Sequence, residues 1–215
     1  EYIASYYDQQ RFTDHQFGRL VAALKSQGLW DNTIVIFTAD HGLSLNDHWQ
    51  WRHGPFLFDE VAHIPLIWRV PGLTQAGPRT QFAEQVDLMP TLLDLCNLPS
   101  PAGIQGDTLT PIIRESSAPG KDCVLLQERH APDLEARGLN PNSVNQIAIR
   151  THDWKLIHYV GETCGELYDL VNDPGEFTNL WNEAKHLPKR QELESRLLDR
   201  LAETQDPLPE RHYEW

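Results

Sequence analysis

The sequence predicts an α/β fold, a sheet flanked by helices over residues 1–121, followed by a smaller α+β subdomain with an antiparallel sheet over residues 122–215. Three observations predict it. An apolar run, Ile34-Val35-Ile36-Phe37, leads straight into Thr38-Ala39-Asp40-His41-Gly42, as a buried strand does when it ends in a polar turn. Apolar residues at helical spacing precede that strand and recur after it. Beyond residue 122, strand-like runs follow one another across turn-length gaps, the pattern of an antiparallel sheet.

Residues 1–27 contain no proline, and Phe17, Leu20, Val21 and Leu24 form an apolar stripe that predicts an opening helix, stopped at Gly28. A chain that opens in mid-helix, with no strand before it, leads us to expect part of the fold outside these residues. The strand at residues 33–39 follows a short turn and reads as buried on both faces, with residues 64–70 as its chief candidate for a parallel neighbour. Between them, residues 43–58 read as a polar, aromatic loop holding Asn46, Asp47, His48, Trp49, Trp51, Arg52 and His53. Taken alone, His48 reads as an ordinary surface polar group. Residues 85–96 predict a helix with Pro90 in its first turn, and residues 98–120 a loop region with one turn of helix at 110–114. Strands are expected at 123–127, 146–150, 154–160 and 165–170, with Arg129, His130 and Asp133 in a long loop between the first two. Residues 188–204 predict a closing helix with Leu193, Leu197, Leu198 and Leu201 on its core face.

Composition removes several classes of function. With 215 residues and 40% apolar content the chain can bury a substantial core. No run approaches the ~20 apolar residues of a membrane-spanning helix, and no signal peptide opens the chain, so no membrane partner is expected. A net charge of −13 without a basic stripe argues against a nucleic-acid partner. Cys96, Cys123 and Cys164 form no C-x-x-C pair and read as ordinary thiols, which points toward a reducing, cytoplasmic compartment.

The chemistry concentrates at the end of the first strand. In open α/β sheets ligands bind beyond the carboxyl ends of strands, where Asp40 and His41 fall. A carboxylate oxygen beside a neutral imidazole suits a divalent cation, with Gly42 allowing a sharp turn behind them. The plainer alternative is an Asp that caps the next turn and a His that is merely polar. His48, Arg52 and His53 bring cationic groups near that point, as an oxyanion substrate requires.

Five stretches carry a resemblance. These are Thr38-Ala39-Asp40-His41-Gly42, His53-Gly54-Pro55 leading to Phe58-Asp59-Glu60, and the segment from His63 through Pro65 and Trp68 to Gly72. Val86-Asp87 through Pro90-Thr91, and the pair of stretches at 149–157 and 165–180, complete the set. In that order they resemble the sulfatase family of the alkaline-phosphatase superfamily, which implies an alkaline-phosphatase-like sheet flanked by helices, present here in part. The resemblance implies hydrolysis of a sulfate-ester small molecule or saccharide at a calcium-centred site. The family's nucleophile is a formylglycine made from the Cys or Ser of a C/S-x-P-x-R motif. Asp40 and His41 match the second pair of metal ligands, His41 standing where many members have Asn. His53 aligns with a position that is often Lys and binds the sulfate or its leaving oxygen, with Arg52 an alternative occupant of that role.

The departures are as informative. No Cys is followed by x-P-x-R, and Ser117-Ala118-Pro119-Gly120-Lys121 echoes the Ser form only superficially, ending in Lys and lying on the wrong side of the metal motif. The formylglycine and the first metal-ligand pair are therefore expected on an amino-terminal sulfatase segment missing from this chain, which alone is expected to be inactive. Two other readings stand beside a sulfatase portion. One is a phosphodiesterase or phosphonate monoester hydrolase of the same superfamily, using Mn2+ or Zn2+ at the Asp-His pair. The other is a non-catalytic fragment serving as an interaction module.

Overall fold

The computed structural model describes residues 1–73, 76–129 and 145–204; His130 and Asp133 lie outside the described residues. Helix α1 (Tyr2–Ser26) forms as the stripe predicts, and Phe17 packs edge-on against Phe37 with ring centroids 5.3 Å apart. Val21 and Leu24 are half-buried beside it, but Leu20 is 56% exposed and does not belong to the packed face.

Strand β1 (Val35–Thr38) is not buried on both faces as expected: Val35, Ile36 and Phe37 are half-buried and Thr38 is exposed. The segment after it is more ordered than the loop expected from sequence. Strands β2 (Ser44–Leu45) and β3 (Trp51–Arg52) form a small hairpin around a 3-10 turn at Asp47–Trp49, and helix α2 (Asp59–Ala62) makes one further turn. Strand β4 (Leu66–Arg69) then pairs with β1, but antiparallel, Val35 opposite Arg69 and Thr38 opposite Leu66. The parallel expectation fails for a topological reason. A parallel partner needs a crossover that carries the chain back along the sheet, usually a helix, and a two-residue hairpin with a single helical turn does not supply one.

A 3-10 turn at Gln85–Asp87 leads into α3 (Leu88–Leu95), with Pro90 in the first turn, where its missing N–H has no partner to lose. Helix α4 (Thr110–Arg114) is the single turn expected. Strands β5 (Cys123–Arg129), β6 (Asn145–Thr151), β7 (Trp154–Tyr159) and β8 (Gly165–Asp169) form an antiparallel meander in chain order.

Both faces of this sheet are buried, which follows from the two-residue period of its strands. Ile149, Leu156 and Leu167 point to one face and meet Trp181, Leu193 and Leu197, the last two from α5 (Leu187–Glu203). Their neighbours Ala148, Ile157 and Tyr168 point to the other and meet Leu57 and Phe58, just before α2. Leu198 is 67% exposed, correcting the core face expected for α5: at 100° per residue it falls well off the line through Leu193, Leu197 and Leu201.

Two ion networks tie the sheet to the preceding residues. Lys121 Nζ lies 2.5 Å from Glu84 Oε2 and 2.7 Å from the fully buried Asp87 Oδ1, while Arg200 of α5 reaches the same Glu84 oxygen at 3.2 Å. Burial alone would lower the Lys121 pKa, but Asp87 and Glu84 raise it. Lys121 is thereby a structural cation, and Ser117 donates to Glu115, so the superficial nucleophile echo is occupied by local structure. The network also crosses the boundary expected at residues 121 and 122, with the Leu125 N–H donating to Glu84 Oε1.

Candidate functional site

Beyond the end of β1 the chain bends at Asp40, and the reason for glycine two positions later is proximity. A side chain at Gly42 would put its Cβ 2.1 Å from the Glu60 carbonyl oxygen, and the Gly42 N–H donates to the Val61 carbonyl at 2.7 Å. The φ of Gly42 is not in the left-handed region, so close approach to α2, rather than the sharp turn expected, demands the glycine. Gln85 braces the same bend from the other side, its amide donating to the carbonyls of Ala39 at 3.1 Å and Asp40 at 2.8 Å.

The two candidate ligands are arranged by their own backbone. Asp40 Oδ1 accepts the His41 N–H at 2.9 Å, and among the described residues no hydrogen bond reaches Oδ2. His41 Nδ1 lies 2.8 Å from the Gly42 carbonyl, an atom that can only accept. Nδ1 is therefore the donor, and in the neutral ring Nε2 keeps the lone pair, the arrangement that orients ligating histidines. Nε2 and Asp40 Oδ2 are 3.8 Å apart, with the two side chains 43% and 89% exposed. Among the described residues no third acidic, His or Cys side chain joins them to complete a cation site.

His53 is brought to this point. The rings of His41 and His53 have centroids 4.3 Å apart at a 38° tilt. Arg52, at a φ of 75° in β3, lines an open hollow of about 320 Å³ with Trp51 and Tyr2. The left-handed backbone at Arg52 turns the chain between these two neighbouring side chains.

Behind the bend lies a largely buried charge cluster. Asp59, at the start of α2, receives Lys155 Nζ at 2.8 Å and Arg150 Nη2 at 2.9 Å. Lys155 is fully buried and also lies 2.8 Å from Glu176 Oε1, while Glu176 Oε2 accepts the Asp59 N–H at 2.7 Å. Burial acts to raise the Asp59 pKa, but Arg150 and Lys155 overcome it and hold the carboxyl at about 2. For Glu176 burial prevails and the pKa is raised. These residues stand inside the matched stretches, yet only the fold brings 59, 155 and 176 together.

The family profile described as N-sulphoglucosamine sulphohydrolase, C-terminal, matches residues 47–205. The chain belongs to the sulfatase family.

Among curated relatives, this sulfatase chain is 32% identical over 208 residues to the N-acetylglucosamine-6-O-sulfatase of Bacteroides thetaiotaomicron, covering 95% of the chain and 36% of that protein. It is 34% identical over 181 residues to arylsulfatase K of Canis lupus familiaris, covering 82% and 33%. The sulfatase chain thus spans about a third of the length of these relatives. Among solved structures, one determined in complex with its substrate D-glucosamine-2-N,6-O-disulfate superposes with a TM-score of 0.78 at 30% identity, over 93% of this chain and 40% of that one. The phosphonate monoester hydrolase of Agrobacterium radiobacter superposes at 0.80 and 33%, over 92% and 42%. The α/β fold expected from sequence, with its smaller antiparallel subdomain, is that of these neighbours.

Proposed function

We propose that this chain is the carboxyl-terminal share of a sulfuric ester hydrolase acting on a sulfated amino sugar, and that it forms one wall of the active site. The observation that carries the reading is the meeting of His41 and His53, 4.3 Å apart, beside Asp40 at the end of β1. Asp40 Oδ2 and His41 Nε2 would hold one side of a divalent cation, calcium on the family resemblance, with Mn2+ or Zn2+ as alternatives for a site that includes imidazole. When bound, such a cation withdraws charge from the ester oxygens. His53 contacts the sulfate or its leaving oxygen and, when protonated, donates to it. The formylglycine nucleophile and the remaining ligands belong to a part of the protein outside these residues.

A second reading, phosphonate monoester hydrolysis, is favoured by the likeness to the Agrobacterium radiobacter enzyme. One assay separates the two. The full-length protein, supplied in turn with Ca2+, Mn2+ and Zn2+, is offered glucosamine 6-sulfate and an aryl phosphonate monoester. Sulfate release at the higher kcat/KM is expected; hydrolysis of the phosphonate alone, or of neither, sinks the sulfatase reading.

A further inference from the structure

The β2–β3 hairpin carries His53 at its exit, and at its tip the His48 ring is held between two aromatic faces. Phe58 stacks on one side, with centroids 3.7 Å apart and planes 7° apart, and Phe177 on the other at 4.8 Å and 23°. His48 sits in the left-handed region at a φ of 50°, and its side chain is only 9% exposed. Its Nε2 faces Glu60 Oε1 at 3.7 Å, and neither Nε2 nor Glu60 Oε2 has a hydrogen-bond partner among the described residues. The ring is therefore kept by stacking, not by hydrogen bonds.

Phe177 comes from the turn after β8, more than a hundred residues on in the chain. That turn is itself fixed. Glu176, the residue before it, is the carboxylate bound to Lys155 and the Asp59 N–H, and the Phe177 ring lies over Gly175 so closely that a Cβ there would be 2.5 Å from Cε2. Yet Phe177 is 65% exposed, so it adds little to the core, and its ring–ring contact among the described residues is the stack on His48.

We propose that Phe177 and His48 form a clamp through which the carboxyl-terminal subdomain positions the β2–β3 hairpin and thereby His53. His48 is a positioning residue in this scheme, and the part that concerns catalysis rests on the sulfatase reading above.

The test uses the full-length protein and the variants Phe177→Ala, His48→Asn, their double, and His48→Phe. Asn tolerates the left-handed backbone but cannot stack, and Phe177 is exposed enough to be truncated without opening the core. Hydrogen exchange of residues 44–53 is expected to accelerate roughly five-fold in Phe177→Ala, the scale of one lost aromatic stack, more in His48→Asn, which loses the Phe58 stack as well, and in the double no further than in His48→Asn alone. Exchange in β6–β8 should not change. Turnover of glucosamine 6-sulfate should fall roughly ten-fold in kcat with KM nearly constant, as expected for a displaced reacting group. His48→Phe keeps an aromatic face but sets a bulky ring at a φ of 50°, so it should recover part of both readouts relative to His48→Asn. Unchanged exchange in either single variant, or additive effects in the double, overturns the clamp. Accelerated exchange with full kcat overturns the positioning of His53. A parent protein that hydrolyses no sulfate ester sinks the sulfatase reading instead, and the exchange cycle still decides the clamp.

Discussion

His41 and His53 approach to 4.3 Å between ring centroids although a hairpin separates them in the chain, and Arg52, the immediate neighbour of His53, is turned into the hollow beside Trp51. If His53 acts on the ester group, His53→Ala in the full-length enzyme lowers kcat by roughly 10²-fold or more, the scale for a general acid or oxyanion donor. Arg52→Ala should cost far less. Steady-state kinetics of both variants check this, and a loss carried by Arg52 moves the assignment one residue earlier.

Asp40 offers its carboxylate oxygen Oδ2 and His41 a single nitrogen, whereas Ca2+ takes six to eight oxygen ligands. Calorimetry should find weak Ca2+ binding to residues 1–215 alone and tighter binding to the full-length protein. Asp40→Asn should lower the full-length affinity. Tight binding to the isolated chain contradicts the shared site.

Gly42 leaves no room for a methyl group, with the Glu60 carbonyl oxygen 2.1 Å from where its Cβ would stand. Gly42→Ala must push α2 away from the bend and should cost about 1–3 kcal/mol, the range for forced overpacking. Chemical denaturation measures that loss. The same displacement moves Asp40 and His41, so activity should fall even at temperatures where the variant stays folded.

Asp59 is held at a pKa of about 2, below its ordinary value of 3.8, against a burial effect of opposite sign. In the unfolded chain it binds a proton at higher pH than in the fold, so its contribution is present above about pH 4 and is lost as pH falls toward 2. A shift of this size corresponds to roughly 2 kcal/mol. Denaturation midpoints measured from pH 5 to pH 2 should therefore fall less steeply in Asp59→Asn than in the parent. Glu176, whose pKa is raised, acts in the opposite sense: its folded form takes up a proton first as pH falls, which favours the fold on that limb.

Lys155 is the cation shared by Asp59 and Glu176 with no exposure of its own side chain. Lys155→Met keeps its length but leaves the buried Glu176 without its cation and Asp59 with Arg150 alone. A loss of about 3–5 kcal/mol is expected, the cost of breaking a buried pair on one side. A variant as stable as the parent by chemical denaturation would remove this cluster from the account of what holds α2 behind the site.

The sequence by itself determined the elements whose signal is local. The run Ile34-Val35-Ile36-Phe37 into Asp40-His41-Gly42, the four-strand meander, the turn at Thr110–Arg114 and the closing helix each follow from period, propensity and turn residues within a few positions. The ordered motifs also sufficed to indicate the family. Tertiary structure alone decided the antiparallel pairing of β1 with β4, because strand direction depends on the path of the connection and not on the strand's composition. It alone made His48 a stacked, largely covered ring instead of a surface polar group, and set the ring of His53 against that of His41. Lys155 meets Asp59 across 96 positions of chain, and no local pattern marks which of many charges will be paired. Ion pairing and stacking are settled by proximity in space, and burial, which makes them costly to break, exists only once the sheet, α2 and the turn at Glu176 have come together.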